Sequence, residues 1–234
     1  MQQEYERPIV TVDAVVFALQ EQQLRVLLAR RPTDSTLAPG QWALPGGFIH
    51  TDEDLTDEDA VKRVLAQKAG ATARHIEQLK TFASANRDSR GWSVSIAHLV
   101  LVDTLVENED QARYFAVDEL PDLPFDHHQI ICEAVERVRN KSTYSSLPTF
   151  FLPKVFTLPQ MQEVYEIVLG QSFNTPAFRR KVFDQGLVEE CKSPETDKPR
   201  QKGRPAQYYT LAQSSLQHLG RTVMSPDERR GGAR

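Results

Sequence analysis

The sequence predicts an α+β protein of two domains: a mixed strand-and-helix domain over residues 1–149 and a smaller domain over 150–225, with 226–234 as a disordered tail. Three observations carry this reading. The chain has 234 residues, more than a usual single domain. Its charge is divided: residues 1–149 hold 15 Lys+Arg and 23 Asp+Glu, a net −8, whereas 150–234 hold 13 and 9, a net +4. Last, the first half mixes long β-rich runs with helices, while the second reads as two short helices followed by two strands. The overall charge of −4 therefore averages two unlike halves, which points to unlike partners.

Composition bounds the function. Hydrophobic residues at 40% and charged residues at 26% are ordinary for a globular protein and exclude wholesale disorder. Cys132 and Cys191 are too few for a disulfide framework or a four-ligand zinc site, so a reducing, cytoplasmic setting is expected. Residues 1–7 lack the basic-then-apolar pattern of a signal peptide. No apolar run nears the roughly 18 residues that a membrane span needs, so no membrane partner is expected.

In chain order, Ile9 to Leu19 and Leu24 to Arg30 are β-rich runs around Gln20-Glu-Gln-Gln23, which reads as a hairpin. Thr56 is a good helix cap, with Asp57, Glu58 and Asp59 in the first turn, where carboxylates suit the helix dipole. That helix should run to about Ala69 and stop at Gly70. Ser93 to Leu101 alternates as a strand. Asp126 can cap another helix, whose buried stripe is Ile130, Ile131, Ala134, Val135 and Val138. His127 and His128 read as helix-start residues. The polar stretch Lys141 to Thr149, with Pro148, is the expected joint between domains.

After the joint, Thr157-Leu-Pro-Gln160 has capping-box spacing and Gly170 ends the helix. Thr175-Pro176 is expected to cap the next helix, which buries Phe178 and Val182 and closes at Gly186, with Leu187 packing just beyond. Leu187 to Cys191 and Ala206 to Leu211 read as strands flanking a basic loop. This is the layout of a winged helix-turn-helix, whose second helix enters the DNA major groove. Arg180 and Lys181 lie opposite the apolar pair, and Arg179 flanks them. Lys198, Arg200, Lys202 and Arg204 make the wing tip cationic, suited to phosphates or a minor groove. With Thr175 at the helix start, these are the candidate DNA-contacting residues.

The stretch Trp42-Ala-Leu-Pro-Gly-Gly-Phe48 leads through an acidic loop to the helix ending at Gly70. Over about residues 8–140 the sequence resembles the Nudix family, an α/β/α sandwich, whose signature is G-x5-E-x7-R-E-U-x-E-E-x-G-U. Gly47, Arg63, Leu65, Gly70 and Ala71 match its skeleton. In that family three helix glutamates at i, i+3 and i+4 hold a divalent cation against a diphosphate, because hard cations need oxygen ligands. Those positions here are Val64, Gln67 and Lys68, and none is a carboxylate. The spacing from Gly47 to Arg63 is also two residues longer than the signature. Glu53, Asp54, Asp57, Glu58 and Asp59 read as helix capping and a solvated acidic loop, not as a substitute metal site. The expectation is therefore no metal, no cofactor and no catalytic residues.

What survives is a pocket that binds a nucleotide diphosphate without cleaving it. Its candidates are Gly46, Gly47 and Phe48 at a glycine turn that admits a ligand to the backbone, with Arg87, Asp88 and Arg90. The two arginines can fork onto diphosphate oxygens, and Asp88 can accept from ribose hydroxyls. The other reading of this spacing is a surface loop with an Arg–Asp pair.

A degenerate Nudix domain followed by a winged helix resembles the NrtR family of Nudix-related regulators. Leu44-Pro-Gly-Gly-Phe48, Arg87-Asp-Ser-Arg-Gly91, Phe156-Thr-Leu158, Phe178-Arg-Arg-Lys181 and Gly203-Arg-Pro-Ala206 carry the resemblance. It implies a homodimeric repressor that binds double-stranded operator DNA near genes of NAD metabolism. It also implies that ADP-ribose is the effector that releases the operator. Two alternatives stand beside it: an active ADP-ribose pyrophosphatase with an accessory C-terminal domain, and a scaffold whose basic wing serves solubility.

Overall fold

Strands β1 (Ile9–Gln20) and β2 (Gln23–Arg30) open the chain as hydrogen-bonded neighbours. Glu21 and Gln22 turn between them with φ of 52° and 59°, the doubly positive conformation that matches strand twist in a two-residue hairpin. The computed structural model describes residues 7–68, 70, 72–104, 110–193 and 206–219. It divides into two compact units, 1–20 with 24–136 and 21–23 with 137–234.

In the first unit, β3 (Trp42–Ala43), β4 (Gly46–Phe48), β5 (His75–Ser84), β6 (Ser93–Leu101) and β7 (Ala112–Ala116) complete a seven-stranded mixed sheet. Its path runs β3-β2-β1-β6-β5, with β4 on β1 and β7 on β2. Strand β1 pairs β6 in parallel, Ile9 opposite Ser93 through Phe17 opposite Leu101. It pairs β4 antiparallel, with Asp13 opposite Gly46. Its even residues Val12, Ala14, Val16 and Ala18 pack on Ala60, Val61, Val64 and Leu65 of helix α1 (Asp57–Lys68). Asp13, Val15 and Phe17 face the other way and are also buried, and Asp13 meets His127 at the start of helix α2 (His127–Ser142). Burial on both faces explains why β1 is a nearly continuous apolar run.

Local chemistry sets the helix ends. The Thr56 hydroxyl accepts from Asp59 N at 3.1 Å, while Asp59 Oδ2 accepts from Thr56 N at 3.0 Å, a reciprocal cap. Gly70, at φ 58°, supplies the left-handed turn beyond α1, and its N–H donates to Leu65 O. The expected α2 stripe is buried at Ile130, Ile131, Ala134 and Val138, with Val135 half-buried.

The polar stretch over 141–149, the expected joint, is largely buried. Ser142, Ser145, Ser146 and Thr149 are buried, and Leu147–Phe151 form a buried 3₁₀ helix. Three hydroxyls are satisfied locally: Ser142 Oγ donates to Val138 O, Ser145 Oγ to Lys141 O and Thr149 Oγ1 to Ser146 O, each at 2.6 Å, while Ser146 Oγ accepts from the distant Gln217 N at 2.9 Å. Serine and threonine in this pattern turn the chain without needing water.

Helix α3 (Leu158–Leu169) has the expected capping box at Thr157 and Gln160, and Gly170 ends it at φ 65°. Helix α4 (Thr175–Asp184) is capped by Asn174, not Thr175: the Asn174 side chain accepts from Ala177 N at 3.0 Å. Thr175 is already helical, so the predicted cap moves by one residue. Glu166 Oε1 pins the link between the helices by accepting from Phe173 N at 2.8 Å. Tyr165 and Phe178 meet edge-on at 5.7 Å, and the Tyr165 hydroxyl donates to Ser145 O at 3.1 Å. Burial pushes that phenol well above its ordinary pKa. Strands β8 (Val188–Cys191) and β9 (Tyr208–Leu211) form an antiparallel hairpin. Two helices in a tight turn followed by this hairpin are the winged helix-turn-helix that the sequence predicts. The predicted tail, 226–234, lies outside the described residues.

Candidate functional site

A cleft of about 700 Å³ opens on the first unit. All six expected effector residues line it: Gly46, Gly47, Phe48, Arg87, Asp88 and Arg90. Arg31, Lys68, Asp13 and His127 line it too, and the sequence reading placed none of these four among the effector contacts.

The glycine turn is where it is because of Asp13. A Cβ on Gly46 would lie 2.1 Å from Asp13 Oδ1 and 2.8 Å from Val12 O, so only glycine fits this register. Gly47 is less constrained, its nearest neighbour being Val64 Cγ2 at 3.5 Å. The turn is pinned from behind by His127, whose Nδ1 accepts from Leu44 N at 3.0 Å. That bond requires an unprotonated Nδ1. Burial agrees, pushing the imidazole pKa down against the pull of Asp13 and Asp126.

Beneath the turn lies a buried polar network. Ser95 Oγ donates to Asp13 Oδ2 at 2.5 Å. Arg87 donates to both carboxylate oxygens of Asp126 at 2.9 Å and lies 3.6 Å from Asp13. Its guanidinium fork is thus held at the cleft floor by Asp126, with a side chain only 7% exposed. Arg90 forms a 2.6 Å ion pair with Asp88 and lies over the Phe48 ring at 5.1 Å. Hydrogen bonding from Arg90 depresses the Asp88 pKa. The Arg–Asp pair of the second reading forms, and it lies in the lining of the cleft.

The divalent cation of the Nudix signature finds no fitting donors at its three helix positions. Val64 is buried against Gly47, Gln67 is neutral, and the Lys68 ammonium donates to the Gly46 carbonyl. The acidic loop is engaged elsewhere. Arg63 donates to Asp54 at 2.9 and 2.6 Å, lies 3.3 Å from Glu53 and donates to Phe48 O. This holds the Asp54 carboxyl at about 2. Asp57 lies 3.3 Å from His98, Glu58 pairs with Lys62 at 2.7 Å, and Asp59 caps α1. Among the described residues, no group of three or more His, Cys, Asp or Glu side chains is placed to hold a metal ion.

A second surface lies on α4. Phe178 and Val182 are buried, while Thr175, Arg179 and Arg180 are exposed and Lys181 is half-buried. The basic face therefore looks to solvent on the second helix of the pair, as groove entry requires. The expected wing-tip residues Lys198, Arg200, Lys202 and Arg204 lie outside the described residues. Among the described residues, no helix is long and apolar enough to cross a membrane.

Comparison with known proteins places both parts. The NUDIX domain family matches residues 8–134, and the NrtR DNA-binding winged helix domain family matches residues 148–211. The ADPR responsive transcriptional repressor NtrR of Acinetobacter baylyi is 34% identical over 217 residues, covering 89% of this chain and 84% of its own. The crystal structure of Shewanella oneidensis NrtR with a 27mer DNA superposes with a TM-score of 0.75 at 37% identity, covering 86% of this chain and 93% of that one. The NUDIX domain of that same protein, solved with ADP ribose, superposes with a TM-score of 0.51 at 37% identity, covering 57% of this chain and 90% of that one. An ADP-ribose pyrophosphatase of Methanocaldococcus jannaschii is 34% identical over 131 residues, covering 54% of this chain and 73% of its own.

Proposed function

Since the chain belongs to the NrtR family, in which a Nudix domain precedes an NrtR winged helix, we propose that it is a transcriptional repressor of NAD metabolism genes whose Nudix domain senses ADP-ribose. One observation carries the reading. The cleft is lined by Arg30, Arg31, Lys68, Arg87 and Arg90, cations that suit a diphosphate, while Val64, Gln67 and Lys68 occupy the metal-ligand positions. Such a cleft holds its ligand without breaking it. Residues 1–149 bind the effector through Gly46, Gly47, Phe48, Arg87, Asp88 and Arg90. Residues 150–225 bind operator DNA through Thr175, Arg179, Arg180 and Lys181, with Lys198, Arg200, Lys202 and Arg204 on the wing. The protein works in the cytoplasm as a homodimer and needs no cofactor.

The mechanism is linkage. ADP-ribose favours the DNA-free arrangement, and DNA weakens ADP-ribose binding by the same factor. A dimer offers a two-state variable, the spacing and tilt of two α4 helices against half-sites about 34–36 Å apart. Helix α2 begins at His127, on the cleft, and its last residues fall in the second unit. We place the coupling there and in the 141–150 segment that follows. Operator DNA selected by the purified protein, titrated with and without ADP-ribose, tests this. The proposal requires weaker DNA binding with ADP-ribose and falls if operator affinity is unchanged.

The likeness to an ADP-ribose pyrophosphatase favours a second reading, an active hydrolase with an accessory C-terminal domain. Mg²⁺-dependent product formation from ADP-ribose, lost on chelation, is its signature.

A further inference from the structure

Lys68 sits on the last turn of α1 at the place of the third signature glutamate, and the residue is exposed. Its ammonium is turned into the cleft, where it donates to the Gly46 carbonyl. It shares the cleft with Arg30, Arg31, Arg87 and Arg90 on one side of the charge balance and Asp13, Asp88 and Asp110 on the other. Desolvation, helped by the positive charges of Arg31 and Arg63, pulls the Lys68 pKa below its ordinary value, and Asp13 opposes this. A cation held among cations without a carboxylate in contact is short of negative charge, which a diphosphate supplies. The neighbouring substitutions agree. Val64, packed under Gly47, cannot ligate an ion, and Gln67 brings no charge.

We infer that Lys68 is the resident cation of this cleft: its ammonium stands in for the divalent ion, so that a diphosphate binds without metal. The inference rests on the diphosphate-binding reading above and assigns it a residue and an ion requirement. Metal-free recognition makes occupancy of the site independent of the Mg²⁺ concentration.

The test is calorimetric titration of the full chain with ADP-ribose, in buffer with EDTA and in buffer with Mg²⁺. Wild type binds equally in both. Lys68→Gln, which keeps a donor but removes the charge, loses about tenfold or more in both buffers, the scale of a charge-assisted hydrogen bond. Lys68→Glu loses at least as much in EDTA and recovers part of its affinity with Mg²⁺. Thermal unfolding of Lys68→Gln stays near the wild-type midpoint, because the residue is exposed. A wild-type requirement for Mg²⁺, undiminished binding by Lys68→Gln, or no Mg²⁺ response in Lys68→Glu overturns the inference. Repeating the series with ADP separates it from the effector reading. Lys68-dependent, metal-independent binding of ADP without binding of ADP-ribose keeps the role of Lys68 and removes ADP-ribose as effector.

Discussion

Gly46 and Gly47 are adjacent, identical in type and both in β4, yet the structure predicts opposite responses to alanine. At Gly46 the added Cβ would meet Asp13 Oδ1 at 2.1 Å and Val12 O at 2.8 Å. Neither neighbour yields easily. Asp13 is buried and tied to Ser95 by a 2.5 Å bond, and Val12 O is backbone of the central strand. Relief requires β4 to move off β1, which also strains the 2.8 Å bond from Ala14 N to Pro45 O and the His127 bond to Leu44 N. Overpacking of this kind costs about 3 kcal/mol, which lowers the unfolding midpoint of a unit this size by roughly 10 °C. Gly46→Ala should also abolish ADP-ribose binding, since the turn lines the cleft. At Gly47 the nearest atom lies at 3.5 Å, ordinary contact. Gly47→Ala should therefore stay within about 1 kcal/mol of wild type. Scanning calorimetry with ligand titration of both variants checks this. A Gly46→Ala midpoint equal to wild type, or equal damage from Gly47→Ala, would refute the packing argument.

Further outcomes follow from the same geometry. Arg180→Ala should weaken operator binding about tenfold and lower its salt dependence by about one phosphate contact, leaving ADP-ribose affinity intact; Arg87→Ala should do the reverse. Both are read by DNA anisotropy and ligand calorimetry. His127→Phe keeps a buried ring but orphans Leu44 N, so denaturant titration should show a loss of about 1–3 kcal/mol. The Asp54 carboxyl, held at about 2 by Arg63 against an ordinary 3.8, stabilises the fold fully above pH 4. That stabilisation fades as pH falls from 4 through 2, so the melting difference between wild type and Asp54→Asn should shrink over this window.

The legible parts of the fold were local. Thr56, Thr157 and Gly170 end helices by contacts within a turn, and the Ile130–Val138 stripe repeats at the helical period. Lys68 was legible through the spacing of a signature. Strand β5 was not: His75–Ser84 is an edge strand that buries only Leu79 and Phe82, so its sequence lacks a clean alternation. The burial of Ser142 and Ser145 was also not legible, because hydroxyls bonded to their own chain resemble hydroxyls meant for water. The cleft network of Asp13, Leu44, Arg87, Ser95, Asp126 and His127 is long-range and assembled by the β1–β6 and β1–β4 pairings. One signal in the sequence pointed to it. Asp13 is a lone carboxylate inside an apolar strand, and such a residue is placed there for a partner.

The central claim is that one chain reads ADP-ribose in one unit and DNA in the other, with the two in competition. The direct measurement is fluorescence anisotropy of labelled operator DNA bound to the full chain, titrated with ADP-ribose, with the nucleotide recovered afterwards. Release of the DNA and recovery of intact ADP-ribose are expected. Operator affinity unmoved by saturating ADP-ribose, or recovery of cleaved nucleotide, would contradict the claim.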